Sequence, residues 1–208
     1  MNFTIVPVDA DRDAALLHDW MRRDYARFWG MLDAPQDAVL AEYIRIAEDP
    51  HHHAWLGLDD GSPAFLMESY APAHSPLSGH YAVQPGDTGM HLLAGPAERP
   101  RPGFTTQVFR SVMDFLFTHE RTQRIVVEPD VRNAKIAALN ARMGFVPAGT
   151  ISLPDKEALL SFCTREDYHR ALRGLNTPGS ALAPAPPTDR LTASDAPTIP
   201  ATAPGAAQ

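Results

Sequence analysis

Only one cysteine, Cys163, occurs in the 208 residues. An intrachain disulfide is therefore excluded, and a reducing compartment, the cytoplasm, is the expected setting. No apolar run is long enough to span a bilayer, which argues against a membrane protein. The opening MNFTIVPVDADRD lacks the basic start and apolar centre of a secretory signal. Positive charge is scarce as well. With 18 lysines and arginines against 25 acids, the formal charge is −7, which argues against nucleic acid as a partner while leaving room for a local basic patch. No internal repeat suggests a solenoid. Aromatic residues stop at Tyr168, and from Gly174 onward proline, alanine, threonine and serine dominate. Such a segment buries too little apolar surface to offset its ordering entropy. The reading is a globular domain over 1–173 and a disordered tail over 174–208.

What is present is 44% hydrophobic and patterned. FTIVPV at 3–8 reads as a strand, and Leu16, Leu17, Trp20 and Met21 form one helical face. A second amphipathic helix is expected over Asp37–Glu48. Asp59-Asp60-Gly61 lies between two apolar runs and predicts a β-hairpin. GMHLLAGP reads as a buried strand and TTQVFRSVMDFLFTHE as a helix. RIVVEP is a further strand, followed by a helix that opens at Asn133. GFVPAGTISLP and KEALLSFCTREDY read as a closing antiparallel pair. The order β-α-α-β-β-β-α-β-α-β-β mixes hairpins with one βαβ crossover and so predicts an α/β protein with a mixed sheet.

Chemistry concentrates around the crossover. His91 lies in its first strand and Asp130 at the end of its second, so a parallel pairing brings both to one end of the sheet. A neutral histidine takes a proton near neutral pH, and a carboxylate orients it. Between the strands, the loop ERPRPGFTT precedes a helix. Arg99 and Arg101 bring charge, Gly103 admits close approach, and Thr105 or Thr106 is placed to cap. A helix start of this kind suits a pyrophosphate. His51–His53 do not share a face, and no metal site is expected from them. Cys163 reads as a buried structural thiol. Trp20, Phe28 and Trp29 are candidates for either the core or an acceptor pocket.

HDWM, ARFWGM, ESYAPAHSPLSGHYAVQPGDTGMHLLAGP, PGFTTQVFRSVMDFLF, VVEPDVRNAKIAALNARMGF and LPDKEALLSFCTR, taken together, resemble the GNAT acyltransferase superfamily. More closely, they resemble its siderophore-biosynthesis members, over roughly Phe3 to Arg170. The resemblance implies a mostly antiparallel sheet, splayed at its parallel strand pair and flanked by helices. It implies acyl-coenzyme A as co-substrate (acetyl-, succinyl- or malonyl-), held by the backbone of Leu92, Leu93 and Ala94. Arg99, Arg101, Gly103, Phe104 and Thr105 would take the pyrophosphate, and Asn133 would touch the pantetheine arm. Pro129, which has no N–H, fits a sheet that opens there. The implied acceptor is an N-hydroxylated lysine or diamine, contacted by Trp20, Phe28, Trp29, Glu68, Tyr81 and Asp87. His91 would be the base and Asp130 its orienter or a contact to the hydroxylamine. Association with siderophore-assembly enzymes is implied too. The loop RPRPGFTT departs from the superfamily pattern Gln/Arg-x-x-Gly-x-Gly/Ala. Acetylation of an ordinary amine (lysine or an aminoglycoside) and a non-catalytic acyl-coenzyme A module are the alternatives.

Overall fold

The computed structural model describes residues 3–97, 101–118 and 121–175. β1 (Phe3–Pro7) leads into α1 (Ala10–Met21), whose start is capped by the Asp9 carboxylate accepting from the Arg12 amide. A 3-10 turn over Asp24–Trp29 then reaches α2 (Gln36–Glu48). Asp60 and Gly61 take φ of 50° and 81°, the two positive values that a tight primed turn requires. From that turn β2 (His52–Asp59) and β3 (Ser62–Tyr70) run antiparallel. β4 (Asp87–Ala94), α3 (Phe104–Thr118) and β5 (Arg124–Val127) form the crossover. α4 (Ala134–Arg142), β6 (Val146–Ser152), β7 (Glu157–Thr164) and α5 (Arg165–Leu175) complete the described chain.

The strands form one mixed sheet in the order β1-β2-β3-β4-β5-β7-β6, with β4 and β5 as its parallel pair. Alternation along β3 divides the core. Leu66 points toward α1 and α2, among Leu17, Trp20, Met21, Val39 and Ile46. Phe65 and Met67 point the other way, onto Val108, Phe109, Val112 and Met113 of α3. Each fully buried side chain of this size contributes about 1.5–3 kcal/mol, so both faces hold the sheet firmly.

α5 is a correction, because the sequence reading continued the last strand through Tyr168. The strand ends at Thr164, where a reciprocal cap forms. The Asp167 amide donates to Thr164 Oγ1 at 3.1 Å, and the Thr164 amide donates to Asp167 Oδ2 at 3.4 Å. This cap starts the helix and turns Tyr168 into the core, where its ring stacks on Phe117. The boundary expected at Gly174 falls in the last turn of α5, and residues 176–208 lie outside the described residues.

The sheet opens between β4 and β5. Their ladder holds only Asp87↔Arg124, Thr88↔Ile125 and Gly89↔Val126. Beyond Gly89, β4 keeps its pairing to β3 but has no ladder partner on the β5 side among the described residues. Pro129 is not the cause of the opening. Its carbonyl accepts from the Leu159 amide at 2.9 Å, so the edge that lacks the N–H faces β7 and not the gap.

Candidate active site

Where β4 and β5 part, a cavity of about 1130 Å³ opens. Phe28 and Trp29 of the 3-10 turn line one side, Leu92 and Leu93 of β4 the floor, and Leu153–Lys156 of the β6–β7 hairpin the far wall. His91 projects into it from β4, with its side chain 38% exposed.

Both ring nitrogens of His91 meet carboxylates. Nδ1 lies 3.2 Å from Glu68 Oε2, and Nε2 lies 2.7 Å from Glu128 Oε1. Glu68 is the cross-strand neighbour of His91 on β3, and Glu128 follows the last residue of β5. A carboxylate is acceptor-only when ionised, so both bonds form only if both nitrogens carry protons. Burial pushes the imidazole down, but the charges and hydrogen bonds of Glu128 and Glu68 outweigh it and hold His91 at about 10. Burial likewise raises the two carboxyls, and bonds from His52 and His91 to Glu68, and from His91 chiefly to Glu128, bring each down to about 2. The resting cluster is an imidazolium between two carboxylates.

Other side chains complete it. The Tyr43 hydroxyl donates to Glu68 Oε1 at 2.9 Å, and His52 Nε2 sits 3.3 Å from Glu68 Oε2. The Tyr70 hydroxyl donates to Glu128 Oε2 at 2.7 Å, while Lys156 Nζ is 3.6 Å from Glu128 Oε1. Gly89 makes room for this, because a Cβ there would stand 2.2 Å from the Tyr70 ring. Every buried side-chain polar atom among the described residues has a partner.

Several sequence expectations are corrected by these positions. Asp130 does not orient His91. Its carboxylate accepts from Arg132 Nε at 2.9 Å and Nη2 at 2.5 Å, which holds it at about 2, although it does line the cavity. His91, expected as a neutral base, has both ring nitrogens on carboxylates, an arrangement that favours its protonated form. Trp20 is buried among Leu17, Val39 and Leu66 and does not line the cavity. Tyr81 and Asp87 lie outside it too. Asp87 accepts two bonds from Arg124, at 2.7 and 2.8 Å, and a third from the Tyr81 hydroxyl at 3.1 Å.

Glu68, expected to touch the acceptor, lines the cavity as Phe28 and Trp29 do, and its carboxylate is also bonded to His91. Leu92, Leu93 and Ala94 lie on the part of β4 that has left β5. Asn133 caps α4 by accepting from the Ile136 amide at 3.3 Å, and it borders the cavity. Gly103, at φ 77°, directly precedes α3, so Phe104 starts the helix and Thr105 lies inside its first turn and not ahead of it. Arg101 pairs with Asp59 at 2.6 Å and lies over the Phe104 ring. Arg99 lies outside the described residues.

Of the three histidines, His52 serves Glu68 and His51 stacks on His74 at 3.6 Å. No group of three potential metal ligands occurs among the described residues. No described helix is long and apolar enough to cross a membrane. Cys163 is fully buried, and its thiol is pushed up to about 12 by burial and by Asp167.

Sequence reasoning missed Glu128, Tyr70, Tyr43, His52 and Lys156. Glu128 carried a usable signal, because it is an acid at the end of the same apolar run, two positions before Asp130.

Residues 9–153 match the model of a family described as an acetyltransferase (GNAT) domain, and the chain belongs to that family. It is thus an acyltransferase whose acyl donor is an acyl-coenzyme A. It is similar to an N-hydroxyputrescine acetyltransferase of Acinetobacter baumannii, 25% identical over 169 residues that make up 81% of each chain. It is equally similar to an aminoglycoside N(6')-acetyltransferase type 1 of Serratia marcescens, 25% identical over 169 residues, 78% of this chain and 84% of that one. The structure of AAC(6')-Ib in complex with ribostamycin and coenzyme A superposes with a TM-score of 0.73 at 22% identity, covering 82% of this chain and 97% of that one. That likeness is one of fold.

Proposed function

We propose that this acyltransferase moves an acetyl or short dicarboxylic acyl group to the hydroxylated nitrogen of a lysine or diamine. The product is a hydroxamate, a bidentate oxygen ligand for ferric iron and a building block of siderophores. The observation that carries this reading is the doubly bonded His91. The cluster holds no free strong base to strip a proton from an ammonium, and a plain amine with a pKa near ~10.4 arrives as one. A hydroxylamine is far less basic and arrives neutral. The similarity to an N-hydroxyputrescine acetyltransferase supports the same acceptor class.

In this reading the thioester lies in the gap beside Leu92–Ala94, where β4 offers backbone groups. The pyrophosphate lies at the start of α3, near Gly103–Thr105, with Arg101 close by and Asn133 along the arm. Phe28 and Trp29 flank the acceptor. The nitrogen lone pair attacks the thioester carbonyl, a C–N bond forms, the C–S bond breaks, and coenzyme A leaves as thiolate. The nitrogen's proton, strongly acidic once the adduct has formed, passes to the carboxylate pair that brackets His91, and Glu128 is its first acceptor. Asp130, which lines the cavity and is held by Arg132, would meet the hydroxyl.

A second reading, acetylation of an ordinary amine, is favoured by the equal identity to an aminoglycoside acetyltransferase. Coenzyme A release decides between them. Acetyl-, succinyl- and malonyl-coenzyme A would be tested against lysine, cadaverine and their N-hydroxylated forms. Turnover confined to the hydroxylated acceptors is expected. Turnover on plain amines alone establishes the second reading, and silence with every pair overturns the lysine and diamine acceptor class.

A further inference from the structure

The buried charges around His91 balance, and one residue outside the histidine–glutamate core makes them do so. Glu68 and Glu128 each contribute one negative charge, and His91, donating from both nitrogens, contributes one positive charge. Those three leave one negative charge over. Lys156, with Nζ 3.6 Å from Glu128 Oε1 and a side chain only 19% exposed, cancels it. Glu42, Arg45, Asp49 and Asp155 also line the cavity but are more exposed than Glu68, Glu128 and Lys156, and the groups that touch the cluster do not alter its sum. His52 needs only its Nε2 proton to serve Glu68, so its neutral form suffices. Asp130 is matched by Arg132, and Tyr43 and Tyr70 donate as neutral hydroxyls, held well above their ordinary range by burial and the carboxylates they touch.

We propose that Lys156, on the β6–β7 hairpin, is a specificity-determining residue that rejects protonated amines by neutralising the acidic wall of the acceptor cavity. The inference rests on the hydroxylated-acceptor reading above and names the residue that enforces it. A neutral hydroxylamine loses little beside a charge-balanced buried cluster. An ammonium gives up its hydration there and finds no surplus negative charge in that cluster in return. Without Lys156 the cluster carries a net negative charge, which is what an alkylammonium requires. Lys156 acts through Glu128 and is therefore a positioning residue for charge, with no contact to the reacting atoms assigned to it.

The test compares wild type with Lys156→Met and Lys156→Arg, using acetyl-coenzyme A with cadaverine and N-hydroxycadaverine. In Lys156→Met the ratio of kcat/KM for the hydroxylated over the plain acceptor is expected to fall roughly tenfold, mainly through a lower KM for cadaverine. Lys156→Arg keeps the charge and is expected to keep the wild-type ratio. A folding defect lowers both acceptors together and leaves the ratio in place, so an unchanged ratio in Lys156→Met overturns the proposal. Calorimetric binding of cadaverine to the same proteins reads the charge without turnover. Tightening in Lys156→Met is expected, and unchanged affinity overturns the inference. If wild type instead prefers cadaverine, the hydroxylated-acceptor reading fails, whatever the variants do.

Discussion

β4 carries two ionic clusters, one at its start and one at its middle, and the two differ in what they leave open. At its start, Asp87 accepts two bonds from Arg124 across an intact parallel ladder, and Arg124 also lies over the Phe162 ring at 4.2 Å. The Asp87 side chain is 1% exposed, and its oxygens also take the Tyr81 hydroxyl and the Gln84 amide. Nothing there is left for a ligand. Four residues on, the ladder to β5 has gone and His91 stands between Glu68 and Glu128 with one side open to a cavity. Both clusters are acidic, mostly buried and fully hydrogen-bonded. What separates a clamp from a site is the open face and the released backbone beside it.

Breaking each cluster should break different things. The largest effect is expected from His91→Gln. Turnover should fall roughly 10²–10⁴-fold in a coenzyme A release assay, because the carboxylates that take the proton lose the cation between them, and Tm should fall as well. Arg124→Met should cost stability alone. It strands the buried Asp87 carboxylate and should cost about 3 kcal/mol in urea unfolding, with wild-type turnover in the folded fraction. Equal turnover losses in the two variants would erase the distinction drawn between the clusters. Tyr70→Phe removes one donor from the buried Glu128 and should lower turnover about tenfold, with a loss of about 1–3 kcal/mol in unfolding.

The smallest effect is one of pH. His91 is held at about 10 against an ordinary 6.5, so its stabilisation is complete below 6.5 and is lost as pH rises through about 10. Glu68 and Glu128 are held at about 2 against an ordinary 4.5, so theirs is present above 4.5 and is lost as pH falls through about 2. The difference in Tm between wild type and His91→Gln should therefore be widest from about pH 4.5 to 6.5, and thermal melts across the pH range check this.

Local signals made much of this fold legible. Asp60-Gly61 announces the β2–β3 turn, and Asn133 announces the start of α4. α5 was legible as well: Thr164-Arg165-Glu166-Asp167 is a capping pattern, hidden behind the apolar run of β7. His91 could be placed at the site, but not its partners. Glu68 faces it only because β3 and β4 pair in one register, set after the long connection from Ala71 to Gly86 that no turn signal fixes. Asp130 drew attention as a strand-end acid, yet Arg132, two residues on, takes both its oxygens. The acids Asp87 and Glu68 looked alike in sequence. Only the placement of Arg124 against one and His91 against the other tells them apart.

Cys163 has a practical consequence at the bench. The reaction liberates a thiol, and the protein's own single sulfhydryl is fully buried and held in its unreactive protonated form. A chromogenic disulfide reagent added to the native protein therefore reports released coenzyme A over a near-blank background. Any colour that grows with protein alone measures unfolding, so one cuvette follows both catalysis and the integrity of the core.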